Sequence, residues 1–211
     1  MTVMILIRHG RSTANARGVL AGRGEGVALD EHGRGQAAAL QPVLAHVEHI
    51  YSSPMARCVE TAAGAGFAEP RIVDDLNECD YGHWTGQSLA TLLSEELWAE
   101  IQRAPSAVSF PGGESMLAMR ERCVAAVHAI IRRHPDDVVA VFSHGDPIKA
   151  ILADALAMPF DEFQRIDVAP GSVSVVDYSG AKPVVRLVGG SPASAVSLTP
   201  RGHTVGGSDG A

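Results

Sequence analysis

Four short stretches carry side chains suited to holding an anion and moving a proton. They are Arg8-His9-Gly10-Arg11-Ser12-Thr13-Ala14-Asn15, Ser52-Ser53-Pro54-Met55-Ala56-Arg57, Leu76-Asn77-Glu78 through Gly86, and Ser143-His144-Gly145. A neutral imidazole nitrogen is a competent nucleophile toward phosphorus near neutral pH. Arginine forks stay cationic and bind phosphoryl oxygens in bidentate fashion. A glutamate can supply the proton that a leaving alkoxide needs, typically worth about 10²–10⁴ in rate. Together they suit phosphoryl transfer, in which catalysis is largely positioning and electrostatics. Taken singly, each residue fits an ordinary role: a turn histidine, a surface arginine, a solvated loop carboxylate.

What unites the stretches is the element each one follows. Val3–Ile7, His49–Ser52, Arg71–Leu76 and Val138–Phe142 read as strands, the last a continuous apolar run expected of a strand covered on both faces. Helical periodicity marks Gly35–Val47, Arg57–Ala65, Leu89–Ile101 and Glu114–Arg133, and Val173–Tyr178 with Val184–Val188 forms a late strand pair. This alternation predicts an α/β fold: a three-layer α/β/α sandwich around a mostly parallel, mixed central sheet. In such sheets ligands collect beyond the carboxyl ends of the strands, so His9, Arg57, Glu78 and His144 converge on one edge. Asp146-Pro147 is expected to cap and open a helix to about Leu156, adding backbone N–H groups close to His144. A glycine follows both histidines, where a missing Cβ lets an anion approach the backbone.

The 211 residues are 46% hydrophobic and 19% charged, which fits one globular domain over 1–190 and a flexible Gly/Ser/Pro/Ala-rich tail over 191–211. A net charge of −7 argues against a nucleic-acid binder. Three widely spaced cysteines without a C-x-x-C pair suggest a reducing compartment. Val3–Ile7 is too short for a signal-peptide core and no apolar run reaches membrane-spanning length, so a cytoplasmic location is expected. Arginine far outnumbers lysine, present only as Lys149 and Lys182, and with abundant Ala, Gly and Val this composition suggests a GC-rich bacterial source. No H-E-x-x-H, Cys/His cluster or acidic triad marks a metal site, and no cofactor is expected. Gly22-Arg23-Gly24-Glu25-Gly26 has the wrong spacing for a dinucleotide fingerprint.

In order along roughly residues 1 to 190, these motifs resemble the histidine phosphatase superfamily, the phosphoglycerate mutase-like proteins. Arg8-His9-Gly10 through Asn15, Ser53-Pro54 with Arg57 and Thr61, and Glu78 with Gly82, Trp84 and Gly86 carry the likeness. So do Leu29-Asp30-Glu31-His32-Gly33, Pro111-Gly112-Gly113-Glu114-Ser115 and Ser143-His144-Gly145. The resemblance implies metal-independent phosphoryl transfer in which His9 becomes phosphohistidine. Arg8, Arg57 and His144 would hold the phosphoryl oxygens, with Asn15 a further contact, and Glu78 would be proton donor and then base. Ser12 and Gly145 complete the expected substrate contacts, while His83 and Trp84 could line the entrance. Arg11 stands where the family commonly has Glu; pointing inward it would favour a more anionic substrate, and as a turn residue it would merely be solvated. Thr85 and Glu60 also depart from the common pattern.

Three activities compete. A phosphatase passes the phosphoryl group to water, a mutase returns it to a bound intermediate, and a binding module never turns over. A mutase needs further cations around its intermediate, yet Leu89 to Gly113 holds only Arg103. Retention of His9, Glu78 and His144 together argues against a module. The favoured reading is a phosphatase for a small phosphorylated metabolite, with walls drawn from Val19–Ala28 and Leu89–Gly113.

Overall fold

The structure, a computed structural model, describes residues 2–196. In chain order the elements are β1 (Val3–Arg8), α1 (Thr13–Ala16), α2 (Glu31–Ala38), α3 (Gln41–Leu44), β2 (His49–Ser52), α4 (Ala56–Gly64) and β3 (Arg71–Ile72). Then follow α5 (Leu89–Leu92), α6 (Glu96–Arg103), α7 (Met116–Arg133), β4 (Val138–Ser143), α8 (Gly145–Ala155), β5 (Val173–Asp177), β6 (Val184–Gly190) and α9 (Pro192–Ala195). The strands form one sheet in the order β3-β2-β4-β1-β5-β6. β3, β2, β4 and β1 run parallel, and β5 is antiparallel to both β1 and β6. The expected mixed, mostly parallel sheet between helical layers is therefore present.

Period-two alternation assigns each strand residue to a face. Met4, Leu6, Tyr51, Val139, Val141 and Val176 pack with α7 and α8 in one apolar cluster. Val3, Ile5, Ile7, Ile50, Ala140 and Phe142 point the other way, against α3 and α4. β1 and β4 are thus anchored from both sides, which makes their carboxyl ends rigid points of attachment. Between β1 and β2 the chain steps over the later-arriving β4, so the ends of β1 and β4 lie at the crevice where strand order reverses.

Several expected elements differ. The helix expected over Gly35–Val47 begins earlier, where the Asp30 carboxylate caps Glu31–Ala38 by accepting from the Gly33 N–H, and it breaks before a second helix led by Pro42. Proline tolerates a first turn but not a helix interior. Leu89–Ile101 is likewise two helices, interrupted at Leu93–Glu95. The third strand pairs only over Arg71–Ile72 and then tightens into a 3-10 turn at Asp74–Leu76. Asp146 does not cap α8; His144 occupies that position in extended conformation and the helix opens at Gly145, with Pro147 inside the first turn. The expected tail does not start at 191: α9 packs on β5, β6 and α3, and Ala195 is buried. Residues 197–211 of that tail lie outside the described residues.

Candidate active site

His9 directly follows β1 and is buried. Its Nδ1 lies 2.8 Å from the carbonyl oxygen of Gly10. A carbonyl can only accept, so Nδ1 carries the proton and Nε2 keeps its lone pair. Arg57 Nε points at that lone pair from 3.2 Å. Burial and the guanidinium groups of Arg57 and Arg8 hold the His9 pKa well below its ordinary value, so the ring is neutral at pH 7.

Arg57 sits in the first turn of α4, which brings its whole side chain under the sheet edge at 1% exposure. Its Nη2 donates to the Gly22 carbonyl at 2.8 Å and to His144 Nδ1 at 3.1 Å. Arg8 Nη1 donates to the Val168 carbonyl at 2.6 Å. Arg57 Nη1 and Arg8 Nε are buried donors with no protein acceptor, an arrangement otherwise costly in a core. Two cations with donors to spare, beside two neutral imidazoles, make an anion site.

His144 caps α8 and meets His9 edge to face, with ring centroids 5.2 Å apart. Its Nε2 lies 2.7 Å from Ser53 Oγ. Burial and Arg57 lower its pKa too. A hydroxyl can donate or accept, so Ser53 allows His144 to present Nδ1 either as acceptor to Arg57 or as donor to an oxyanion.

Glu78 approaches from the turn after β3, with Oε2 3.9 Å from His144 Nδ1 and Oε1 accepting from the Cys79 N–H at 2.9 Å. Burial first, and the Asp146 carboxylate second, push its pKa up to about 7, so it can both release and recover a proton near neutrality. The main chain of this acid is clamped. Arg23 Nε and Arg122 Nη2 each donate to the Glu78 carbonyl at 2.9 Å, and both arginines pair with the Glu114 carboxylate. Glu114 Oε1 also accepts from the Asp80 N–H at 2.9 Å. These positioning residues carried no chemical signal of their own in the sequence, beyond the place of Glu114 in the Pro-Gly-Gly-Glu-Ser motif.

A cavity of about 390 Å³ opens on this cluster. Arg8, His9, Asn15, Arg57, Glu78 and Gly145 line its floor. Its walls come from the two expected segments, with Val19, Leu20, Ala21, Leu89, Trp98 and Phe110 among them. Trp84 lines it while stacking on Trp98, so it serves both wall and core. Tyr81, Lys149 and Gln164 also line the cavity and were missed. Lys149 lies one helical turn beyond Gly145 on α8, a spacing that puts both on one face and could have found it.

Three expected contacts are not there. Arg11 turns away from the cavity, its Nε donating to Asp30 at 2.6 Å at an exposed position. Ser12 is fully buried and works as the cap of α1; Asn15 Oδ1 accepts from Ser12 N and Oγ, leaving the Asn15 amide N–H₂ for a ligand. His83 is exposed, with its ring against Gly112 rather than the cavity. Gly10 also has a different reason from the one expected. A Cβ there would stand 2.6 Å from the Gly33 carbonyl oxygen, so close packing on α2 requires the glycine, not a phosphate.

A model of the histidine phosphatase superfamily, branch 1, matches residues 4–190. The chain belongs to that superfamily. Phosphoserine phosphatase 1 of Hydrogenobacter thermophilus is 29% identical over 198 residues, covering 88% of this chain and 90% of that protein. The metal-independent phosphoserine phosphatase of Arabidopsis thaliana is 30% identical over 162 residues, 72% of this chain and 67% of that one. Among solved structures, Bacillus stearothermophilus YhfR superposes with a TM-score of 0.82 at 25% identity, over 90% of this chain and 98% of that one.

Proposed function

We propose that this histidine phosphatase hydrolyses a small phosphorylated metabolite through a phosphohistidine at His9, without a metal ion. The observation that carries the reading is the Nε2 lone pair of His9, fixed by the Gly10 carbonyl and facing Arg57 at 3.2 Å, with Glu78 across the same floor. In the first step His9 Nε2 attacks phosphorus and the bond to the substrate oxygen breaks. Protonated Glu78 gives that oxygen its proton. Arg8, Arg57 and His144 Nδ1 hold the non-bridging oxygens, and the amide of Asn15 and the Gly145 N–H add donors. In the second step Glu78 takes a proton from water, the water oxygen attacks phosphorus, and the P–N bond breaks. Phosphate leaves, and both His9 and Glu78 return to their starting forms.

Water as acceptor is favoured over a returning intermediate by the cavity's charge. Besides Arg8 and Arg57 its only lining cation among the described residues is Lys149, which stands 3.8 Å from the Asp146 carboxylate. Arg103 pairs with Glu100 on the exposed side of α6. A bisphosphorylated intermediate would find little to hold its second group. The named phosphatase activities of the two relatives support hydrolysis. Three buried free cysteines support a reducing, cytoplasmic setting.

The test is phosphate release from an aryl phosphate in excess chelator, together with an acid-labile, base-stable phosphoenzyme that disappears in His9→Ala. Strict dependence on a divalent ion, or label surviving the substitution, defeats the mechanism. Incubation with a phosphoglycerate and its bisphosphate separates the alternative, since rapid isomer exchange with little free phosphate identifies a mutase.

A further inference from the structure

At the opposite, amino edge of the sheet a second pair of histidines meets a carboxylate. His49 opens β2, His134 ends α7, and Asp137 immediately precedes β4. His49 Nε2 lies 3.1 Å and His134 Nδ1 lies 3.3 Å from the same oxygen, Asp137 Oδ2. One ligand-capable atom from each residue falls within 4.8 Å of the others, the one such trio of three or more His, Cys, Asp or Glu among the described residues. The two separations from the carboxylate oxygen are close to the edge of a tetrahedron whose centre-to-ligand distances are about 2.0–2.1 Å, the bond lengths zinc makes to imidazole and carboxylate.

Three further features suit a metal. The backbone sets the trio without help from long flexible side chains: β2 and β4 pair in parallel with His49 opposite Val139, and the turn at Asp136, with φ +75°, returns the chain from His134 to Asp137. The second nitrogen of His134 is occupied, with Nε2 2.7 Å from the buried Tyr51 hydroxyl. A ligand histidine held through its other nitrogen is the usual outer-shell arrangement, because that bond fixes the tautomer and aims the free lone pair. And the exposures are graded, from a buried His134 to a half-open His49 and an open Asp137, which gives a cation a route in and leaves a fourth position for water. Arg71 is a cation close to the trio, its Nη1 donating to the Tyr51 hydroxyl at 3.4 Å.

We propose that His49, His134 and Asp137 form a binding site for a zinc-class divalent cation, remote from the phosphoryl site and independent of its chemistry. Two imidazoles and one carboxylate select a borderline metal over calcium or magnesium, which prefer all-oxygen shells. The ion would tie the starts of β2 and β4 to the end of α7. It would serve the fold rather than the reaction, so it does not conflict with turnover in chelator.

The experiment uses the full chain freed of metal with a chelator and titrated with zinc chloride by calorimetry, with metal content measured after gel filtration. One zinc per chain and a rise in melting temperature with zinc are expected. Asp137→Asn and His49→Ala, both at partly exposed positions, are expected to weaken zinc binding by more than about a hundredfold and to release aryl phosphate at the wild-type rate. Tyr51→Phe should weaken it by about tenfold, through loss of the second-nitrogen anchor. Three results would overturn the site: no retained zinc, equal retention by both variants, or zinc lost in His9→Ala but kept in His49→Ala. The first would leave the trio as a hydrogen-bonded cluster, with Tyr51 donating to His134 Nε2 and neutral His134 donating from Nδ1 to Asp137.

Discussion

The two edges of the sheet each hold a pair of histidines, and the pairs are built differently. At the carboxyl edge His9 and His144 meet edge to face at 5.2 Å, both buried, with arginines on either side. At the amino edge His49 and His134 lie 3.9 Å apart, tilted by 32°, with a carboxylate against both and a tyrosine behind one. The ring is the same chemical object in all four places. Its neighbours decide its use. Buried and surrounded by fixed positive charge it is stripped of its proton and offered to an anion; facing a carboxylate it offers its lone pair to a cation. A histidine's role is therefore read from the sign of charge around it, and strand β4, with Asp137 before one end and His144 after the other, carries both signs.

The largest effect is expected at the acid. Glu78→Gln keeps the shape but removes the proton, and turnover of alkyl phosphates should fall by about 10²–10⁴ while aryl phosphates with good leaving groups lose far less. Equal losses for both substrates would remove Glu78 from that step. At Arg57 an apolar replacement tests the sign of charge itself. Arg57→Met should cost about 10²–10³ in kcat, as for loss of one preorganised donor, yet should not lower the melting temperature, since a buried guanidinium with an unpartnered nitrogen stabilises poorly. A large loss of stability would show Arg57 to be structural.

Smaller effects sharpen the electrostatics. Burial first and Asp146 second raise the Glu78 pKa to about 7, so Asp146→Asn should move the alkaline limb of the pH–rate profile to lower pH, with burial alone left to oppose Arg57 and Arg8. Glu78 binds its proton more tightly folded than unfolded, so its contribution to stability is complete below its ordinary value of 4.5 and is lost as pH rises through about 7. Glu78→Gln should accordingly gain most over wild type in melting temperature above pH 7 and least near pH 4.5. Asp137→Asn, at the other edge, sits at the bottom of the scale: no change in phosphate release in metal-free buffer and a stability loss below about 1 kcal/mol, as for an exposed ion pair.

The doubly buried elements were the most legible. β1 and β4 announce themselves because every residue before their last is apolar, and once they are placed the histidines that follow them can go nowhere else. Arg57 and Glu78 were found by the same logic of strand ends. Legibility failed where a local rule competed with a periodic one. Pro42 split a helix whose apolar spacing ran on unbroken, and Asp74-Asp75 turned a strand-like run into a 3-10 turn. Arg11 could be read inward or outward from its type alone; Asp30, distant in sequence, decided it. The anchors of the acid loop were invisible for a related reason. Arg23, Glu114 and Arg122 are ordinary charged residues until folding brings them to one carbonyl.

That carbonyl has a consequence for how such an enzyme can diversify. Two arginines and the glutamate that joins them hold the main chain of Glu78 from outside the cavity, so the acid's place does not depend on Val19–Ala21, Leu89, Trp98 or Phe110. Selection can redraw those walls for a new alcohol while the proton donor stays where phosphorus needs it. Inheritance of the chemistry and invention of the specificity are then carried by separate residues, and a library confined to the walls should yield changed substrate preference far more often than dead protein.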